Sequence, residues 1–216
     1  MSRAIIIANG EILNLDAARA VISPDDFVIA ADGGLRHCFR LGLTPRLLIG
    51  DLDSTSPADL ATLEATGTQI IRHPAHKDQT DLELAIEWAI RNGHNDILVL
   101  GALGDRWDQT LANLLLPALY AQEGTRIRII DGRQQISLAR GPGSLTLSGA
   151  PGDTVSLIPI GGDAHGVTTS GLEYPLDNGT LRFGSTLGIS NTLTAREAII
   201  SVQEGLLVCV LFFSTD

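Results

Sequence analysis

The sequence predicts an N-terminal open, mostly parallel α/β sheet domain, residues 1–130, followed by a C-terminal all-β sandwich, residues 131–216. Three observations carry this. Through the first part, short apolar runs ending in Gly, Asp or His alternate with stretches of helical periodicity, the pattern of βαβ units in a doubly wound sheet. After about Ile130 that periodicity fades, and Gly, Ser and Thr become frequent between short apolar runs, as in sandwiches. Hydrophobic residues make up 44% of the 216-residue chain and charged residues 19%, enough to build a substantial core and too apolar for a disordered chain.

Residues 4–8, 27–31, 47–50, 69–72 and 97–101 are the expected strands of the first domain. They are nearly continuous apolar runs, as strands buried on both faces require. Residues 35–41 read as a helix stopped by Gly42 and Pro45. Residues 81–92 place Leu82, Ala85, Ile86, Ala89 and Ile90 on one helical face, and Gly93 closes them. Leu111, Leu114, Leu115, Ala118 and Leu119 mark another amphipathic helix, which Pro117 should kink or shorten. In the second domain, residues 135–138, 144–147, 154–159, 166–169, 179–183 and 206–213 read as strands. The turns between them include Gly141-Pro142-Gly143, Pro151-Gly152-Asp153 and Asp177-Asn178-Gly179.

Composition excludes several classes. Acidic residues outnumber basic ones by 25 to 15, for a net charge of −10, which argues against a nucleic-acid binder. A phosphorylated substrate stays open, because a metal ion reverses the local sign. Cys38 and Cys209 stand far apart in apolar settings and read as buried, reduced thiols. The N-terminal apolar run is too short for a signal peptide, and no run reaches the ~18 residues of a membrane span. A soluble, cytoplasmic protein with no membrane partner is the expectation.

Three charged clusters lie at or just beyond expected strand ends, which in open α/β sheets face the ligand crevice. Asp51 and Asp53 are two apart in Gly50-Asp51-Leu52-Asp53-Ser54, so an extended backbone would aim both at one cation; a plain Asp-Ser turn is the alternative. Asp78 and Asp81 stand three apart at a helix start and would face one direction. There Thr80-Asp81-Leu82-Glu83 also reads as a capping box, which leaves Lys77 and Asp78 unexplained; a lysine beside a helix N-terminus suits a phosphate. Arg106 and Asp108 follow Gly101-x-x-Gly104. Arginine offers a fork for phosphate oxygens, with a surface Arg–Asp pair as the bland alternative. Asp32-Gly33-Gly34 ends the second strand in the same way and is a candidate nucleotide contact or a tight turn into a helix. No Gly-x-x-x-x-Gly-Lys-Ser/Thr loop occurs, so any ATP is bound by another scheme.

Taken in order, Ala31-Asp32-Gly33-Gly34, Gly50-Asp51-Leu52-Asp53-Ser54, Lys77-Asp78-Gln79-Thr80-Asp81-Leu82-Glu83 and Gly101-Ala102-Leu103-Gly104-Asp105-Arg106-Trp107-Asp108 resemble the catalytic-domain motifs of the thiamine pyrophosphokinase (thiamine diphosphokinase) family. Leu111-Ala112-Asn113 continues the last. Gly171-Leu172-Glu173-Tyr174-Pro175-Leu176 and Gly188-Ile189-Ser190-Asn191 resemble its thiamine-binding segments, so the match spans nearly the whole chain. The resemblance implies transfer of a diphosphoryl group from ATP to the hydroxyethyl oxygen of thiamine, with AMP as the other product. It implies a homodimer whose active site lies between subunits. By the same match Asp51, Asp53, Asp78 and Asp81 would hold Mg²⁺ and the phosphates, Arg106 and Asp108 would orient the triphosphate, and Thr80 would lie beside it. Tyr174 would stack on the pyrimidine, with Ser190 and Asn191 as polar contacts.

One departure stands out: many members follow Arg-x-Asp with His, where this chain has Gln109. Because phosphoryl transfer rests mainly on positioning and charge neutralisation, Gln is expected to substitute. Two rivals remain at this stage. A pterin diphosphokinase would differ mainly in the acceptor pocket. In a haloacid-dehalogenase-like phosphatase the loop Asp51-Leu52-Asp53-Ser54-Thr55 would carry the nucleophile, but that family places it on the first strand.

Overall fold

Branched aliphatic residues fill the first strand, β1 (Ala4–Ile7), and all four of its residues are buried, as in a strand covered on both faces. In the computed structural model, which describes residues 3–121 and 124–214, the chain divides into two units, Met1–Gly132 and Arg133–Asp216. In the first unit β1 is followed by α1 (Leu15–Ala20), β2 (Phe27–Ala31), α2 (Leu35–Leu41), β3 (Leu47–Gly50) and α3 (Pro57–Ala65). Then come β4 (Gln69–Arg72), α4 (Asp81–Arg91), β5 (Asp96–Leu100), α5 (Trp107–Leu115) and β6 (Arg126–Asp131).

The strands run in the order β6-β5-β1-β2-β3-β4, every pair parallel. The chain builds outward from β1 to β4, then crosses back to place β5 on the other side of β1. That reversal is a topological switch point, where the loops beyond the strand ends diverge and leave a crevice.

The helices follow their local signals. Gly42 adopts the left-handed conformation that ends α2. Asn14, Ser56 and Thr80 cap α1, α3 and α4 by accepting from Ala17, Asp59 and Glu83 N–H groups. Helices α1 and α3 lack a strong apolar face, each burying one residue, so only their caps announce them in the sequence.

Helix α5 forms as expected but turns its apolar stripe outward. Pro117 does shorten it, lying in a 3₁₀ turn directly after Leu115. Most of its apolar stripe is exposed, however: Leu111 by 55% and Leu115 by 46%, with Leu119 just beyond the helix at 63%, beside Trp107 at 75%, while Leu114 is half-buried. Thr110 and Asn113 are buried instead. The reason is hydrogen bonding, set out below.

The second unit contains β7 (Gln134–Arg140), β8 (Gly143–Ser148), β9 (Thr154–Pro159), β10 (Ala164–Ser170), β11 (Gly179–Leu181), β12 (Asn191–Thr192), β13 (Glu197–Val202) and β14 (Leu206–Phe212). One antiparallel layer is ordered β12-β9-β14-β7, the other β11-β10-β13-β8. Alternate residues of both, among them Leu147, Val155, Leu157, Val167, Ile200, Leu207 and Leu211, form one apolar core, which makes the unit a sandwich. Strands β12 and β13, like β6 in the first unit, fall outside the strands expected from sequence. Cys38 and Cys209 are free and buried; burial pushes both thiols up to about 12, which keeps them protonated and inert. Among the described residues no helix is long and apolar enough to cross a membrane.

Candidate active site

A cavity of about 560 Å³ opens at the C-terminal ends of β1, β2, β3 and β5, at the switch point and within the size range of small-molecule sites. Its wall starts with the loops after β1 and β5, which continue the strand pairing past the sheet: Ala8, Gly10 and Glu11 N–H groups donate to Leu100, Gly101 and Leu103 carbonyls at 2.7–2.8 Å. Gly101 permits this approach, since a Cβ there would lie 2.6 Å from the Ala8 oxygen. From the other side, Thr110 Oγ1 accepts from Gly104 N–H at 3.1 Å and donates to its carbonyl at 3.0 Å. Asn113 Nδ2 donates to the Ala102 carbonyl at 2.6 Å. Orienting these two side chains inward turns the leucines of α5 outward.

The acidic residues converge by an unexpected route. Asp51 and Asp53 do not share an extended backbone. Buried Leu52 sits between them at φ 62°, and the Asp53 N–H donates to Asp51 Oδ1 at 3.2 Å. The turn alternative is therefore the local structure, because burying Leu52 reverses the chain. Adjacent β2 is followed directly by Asp32, which accepts from Ser54 Oγ at 3.3 Å. One oxygen from each of Asp32, Asp51 and Asp53 lies within 4.8 Å of the others. Unit charges about 5 Å apart repel by about 1–3 kcal/mol between water and a protein surface. Among the described residues none of the three forms an ion pair.

Asp81 opens α4, and its Oδ1 is buried 2.8 Å from Lys77 Nζ, close but too poorly aligned for a hydrogen bond. Lys77, Thr80 and Asp81 line the cavity; Asp78 is exposed and does not. The capping box is half formed: Thr80 accepts from Glu83 N–H, while the Glu83 carboxylate accepts from Gln79 Nε2 at 3.2 Å. Arg106 lines the cavity, whereas Asp108 does not. The two form an exposed two-point ion pair, whose hydrogen bonds hold the Asp108 carboxyl below the usual carboxylate range. Gly33 is buried away from the cavity. A Cβ there would lie 2.5 Å from the Asn9 side chain, so Gly33 makes room for Asn9. Sequence reading missed Asn9, Glu11 and Arg36, which also line the cavity. Asn9 and Glu11 follow β1 much as Asp32 and Asp51 follow their strands, and that shared position was the available signal. Gln109 lines the cavity as well.

In the second unit Tyr174, Ser190 and Asn191 come together at β12. Asn191 Nδ2 donates to the Tyr174 carbonyl at 2.7 Å and its Oδ1 accepts from the Tyr174 N–H at 3.1 Å. The Asn191 amide therefore clamps the Tyr174 backbone, while the residue as a whole stays 66% exposed. The Ser190 N–H donates to Ser156 Oγ at 3.2 Å.

Residues 18–129 match the family model described as "Thiamin pyrophosphokinase, catalytic domain", and residues 136–207 match "Thiamin pyrophosphokinase, vitamin B1 binding domain". The chain belongs to the thiamin pyrophosphokinase family. Within that family, thiamine pyrophosphokinase of Bacillus subtilis (strain 168) is 32% identical over 189 residues, 87% of each chain. The crystal structure of thiamine pyrophosphokinase from Bacillus subtilis superposes with a TM-score of 0.85 at 28% identity, covering 99% of this chain and 100% of that one. That of Geobacillus thermodenitrificans gives 0.83 at 28% identity, covering 100% and 99%. These family matches favour neither the pterin diphosphokinase nor the phosphatase alternative.

Proposed function

We propose that this chain is a thiamine diphosphokinase: the hydroxyethyl oxygen of thiamine attacks the β-phosphorus of ATP, the bond from that phosphorus to the α-phosphate oxygen breaks, and thiamine diphosphate and AMP leave. One observation carries the reading: uncompensated carboxylates meet beside a strand-end cavity in a chain that matches both domains of the family.

The residues present fit Mg²⁺. Asp32, Asp51 and Asp53 offer converging hard oxygen donors without a cation of their own, so Asp32 joins Asp51 and Asp53 of the four acids expected from sequence. When bound, the ion would neutralise charge on the phosphates. Lys77, paired with Asp81, Arg36 and Arg106 supply positive charge along the cavity. Thr110 and Asn113 keep its β5–α5 wall in place. Tyr174, clamped by Asn191, offers an aromatic face suited to a flat cationic ring. The domain roles follow, with residues 1–132 holding the nucleotide and 133–216 the thiamine. The homodimer is part of the proposal, supported by the exposed apolar stripe of α5, which a partner would cover. A monomer in analytical ultracentrifugation at assay concentration would remove it.

The deciding experiment is mass spectrometry of the products from ATP, Mg²⁺ and thiamine. AMP with thiamine diphosphate is expected; ADP with thiamine monophosphate would overturn the reaction type.

A further inference from the structure

Outside every motif considered so far, α2 carries a buried histidine aimed at the wall of the cavity. His37 is 2% exposed. Its Nε2 lies 2.7 Å from the Gly10 carbonyl, and its Nδ1 lies 3.3 Å from Arg40 Nη1. A carbonyl only accepts and a guanidinium only donates, so Nε2 carries the proton and Nδ1 the lone pair. The ring is thereby fixed as one neutral tautomer, and burial lowers its pKa in the same sense.

Gly10 is an unusual object for such a bond. It has no room for a side chain, because a Cβ there would lie 2.3 Å from the Leu103 carbonyl and 2.4 Å from that of Gly101. Its N–H already donates to Gly101, so the peptide is held on the β5 side by its nitrogen and on the α2 side by its oxygen. Arg36 Nη2 adds donations to the Asn9 carbonyl at 2.9 Å and the Gly10 carbonyl at 3.2 Å. Asn9, Gly10 and Glu11 together line the cavity.

We infer that His37 is a positioning residue for the nucleotide: through its Nε2–H bond to the Gly10 carbonyl it holds the Asn9–Glu11 segment of the cavity wall in its binding geometry. The inference rests on the reading of this cavity as the ATP site. His37 touches no reacting atom, so its loss weakens ATP binding and spares both the chemical step and the acceptor.

The test is steady-state kinetics on the full chain with ATP, Mg²⁺ and thiamine, using His37→Leu, which removes the donor, and His37→Gln, whose amide restores one at similar reach. His37→Leu is expected to raise KM for ATP about tenfold, the effect of one hydrogen bond, with kcat and KM for thiamine within about twofold. His37→Gln is expected to recover most of that loss. An unchanged KM for ATP, a parallel rise in KM for thiamine, or a Gln variant as impaired as the Leu variant would each overturn the inference while wild-type turnover leaves the functional reading intact. Wild-type protein that makes no AMP would overturn both. If His37→Leu does not melt cooperatively, Arg40→Met decides: it frees the tautomer, and a KM for ATP raised at least twofold supports the inference while an unchanged value overturns it.

Discussion

At the N-terminal end of the parallel sheet Asp26 and Asp96 each face a guanidinium, whereas at the C-terminal end Asp32, Asp51 and Asp53 face one another. Asp26 accepts from Arg3 Nε and Nη2 at 3.0 and 2.7 Å and from the Ser23 N–H; Asp96 accepts from Arg128 at 2.8 Å. Beside them Phe27, Trp88 and His94 pack ring to ring, with centroids 4.8–6.3 Å apart. At the other end the donors are the Ser54 hydroxyl and one backbone N–H. The same residue type, aspartate, thus serves opposite purposes. Where its charge is answered within the chain it stabilises the fold. Where it is left unanswered it suits the Mg²⁺ site proposed above.

That contrast fails or sharpens under four experiments. Removing a carboxylate from the C-terminal trio has the largest expected effect: Asp53→Ala lowers kcat by about a thousandfold without loss of melting temperature, since a repelling charge has gone. Near-normal turnover would show that the trio does not serve the chemistry. The same change at the N-terminal end acts in reverse. Asp26→Ala leaves Arg3 unpaired and costs about 3 kcal/mol of stability in urea unfolding, with kcat per folded molecule unchanged; a selective kinetic defect would break the distinction between the two ends.

A smaller effect belongs to the second unit. Tyr174→Ala raises KM for thiamine about tenfold, as loss of a cation–π face predicts, and leaves KM for ATP alone; equal changes would discredit division of the substrates between the units. The smallest effect concerns acid stability. His37 has a lowered pKa in the fold, first through burial and then through Arg36 and Arg40, against the opposing bond to Gly10. Below about pH 6.5 the unfolded chain binds the proton that the folded chain refuses. Its contribution is therefore full above that pH and is lost as pH falls toward the lowered folded value. Melting temperatures from pH 7.5 to 5.5 should fall less steeply in His37→Gln than in wild type; identical slopes would mean that folding leaves the proton affinity of His37 unchanged.

Much of this was legible in the primary structure because its signals are local. Unbroken apolar runs mark β2 and β3 to the residue, the expected bounds of β4 also match although polar residues flank its two isoleucines, and Gly42 marks the end of α2. The catalytic-domain motifs lie at strand ends and helix starts that any reader of the βαβ pattern would inspect. Helices α1 and α3 escaped because their apolar faces are weak, and β12 because two residues carry no period at all. Helix α5 was legible as an amphipathic helix, but its orientation was not. Helical periodicity reports that one face is apolar, not which face the fold turns inward, and here the hydrogen bonds of Thr110 and Asn113 decided.

By itself, then, the chain's order of residues determined the two-domain class, the position of Asp32, Asp51 and Asp81 beside the strand-end cavity and the family, all of which rest on short-range pattern. The tertiary structure alone decided which acids meet. Asp32 stands nineteen residues before Asp51 yet joins it, because β2 and β3 are neighbours in the sheet. Asp78, only three residues before Asp81, does not line the cavity that Asp81 lines. The roles of Asn191 and His37 were hidden for the same reason: each acts through a backbone group seventeen or more residues away, and only folding brings such partners within 3 Å or so of each other.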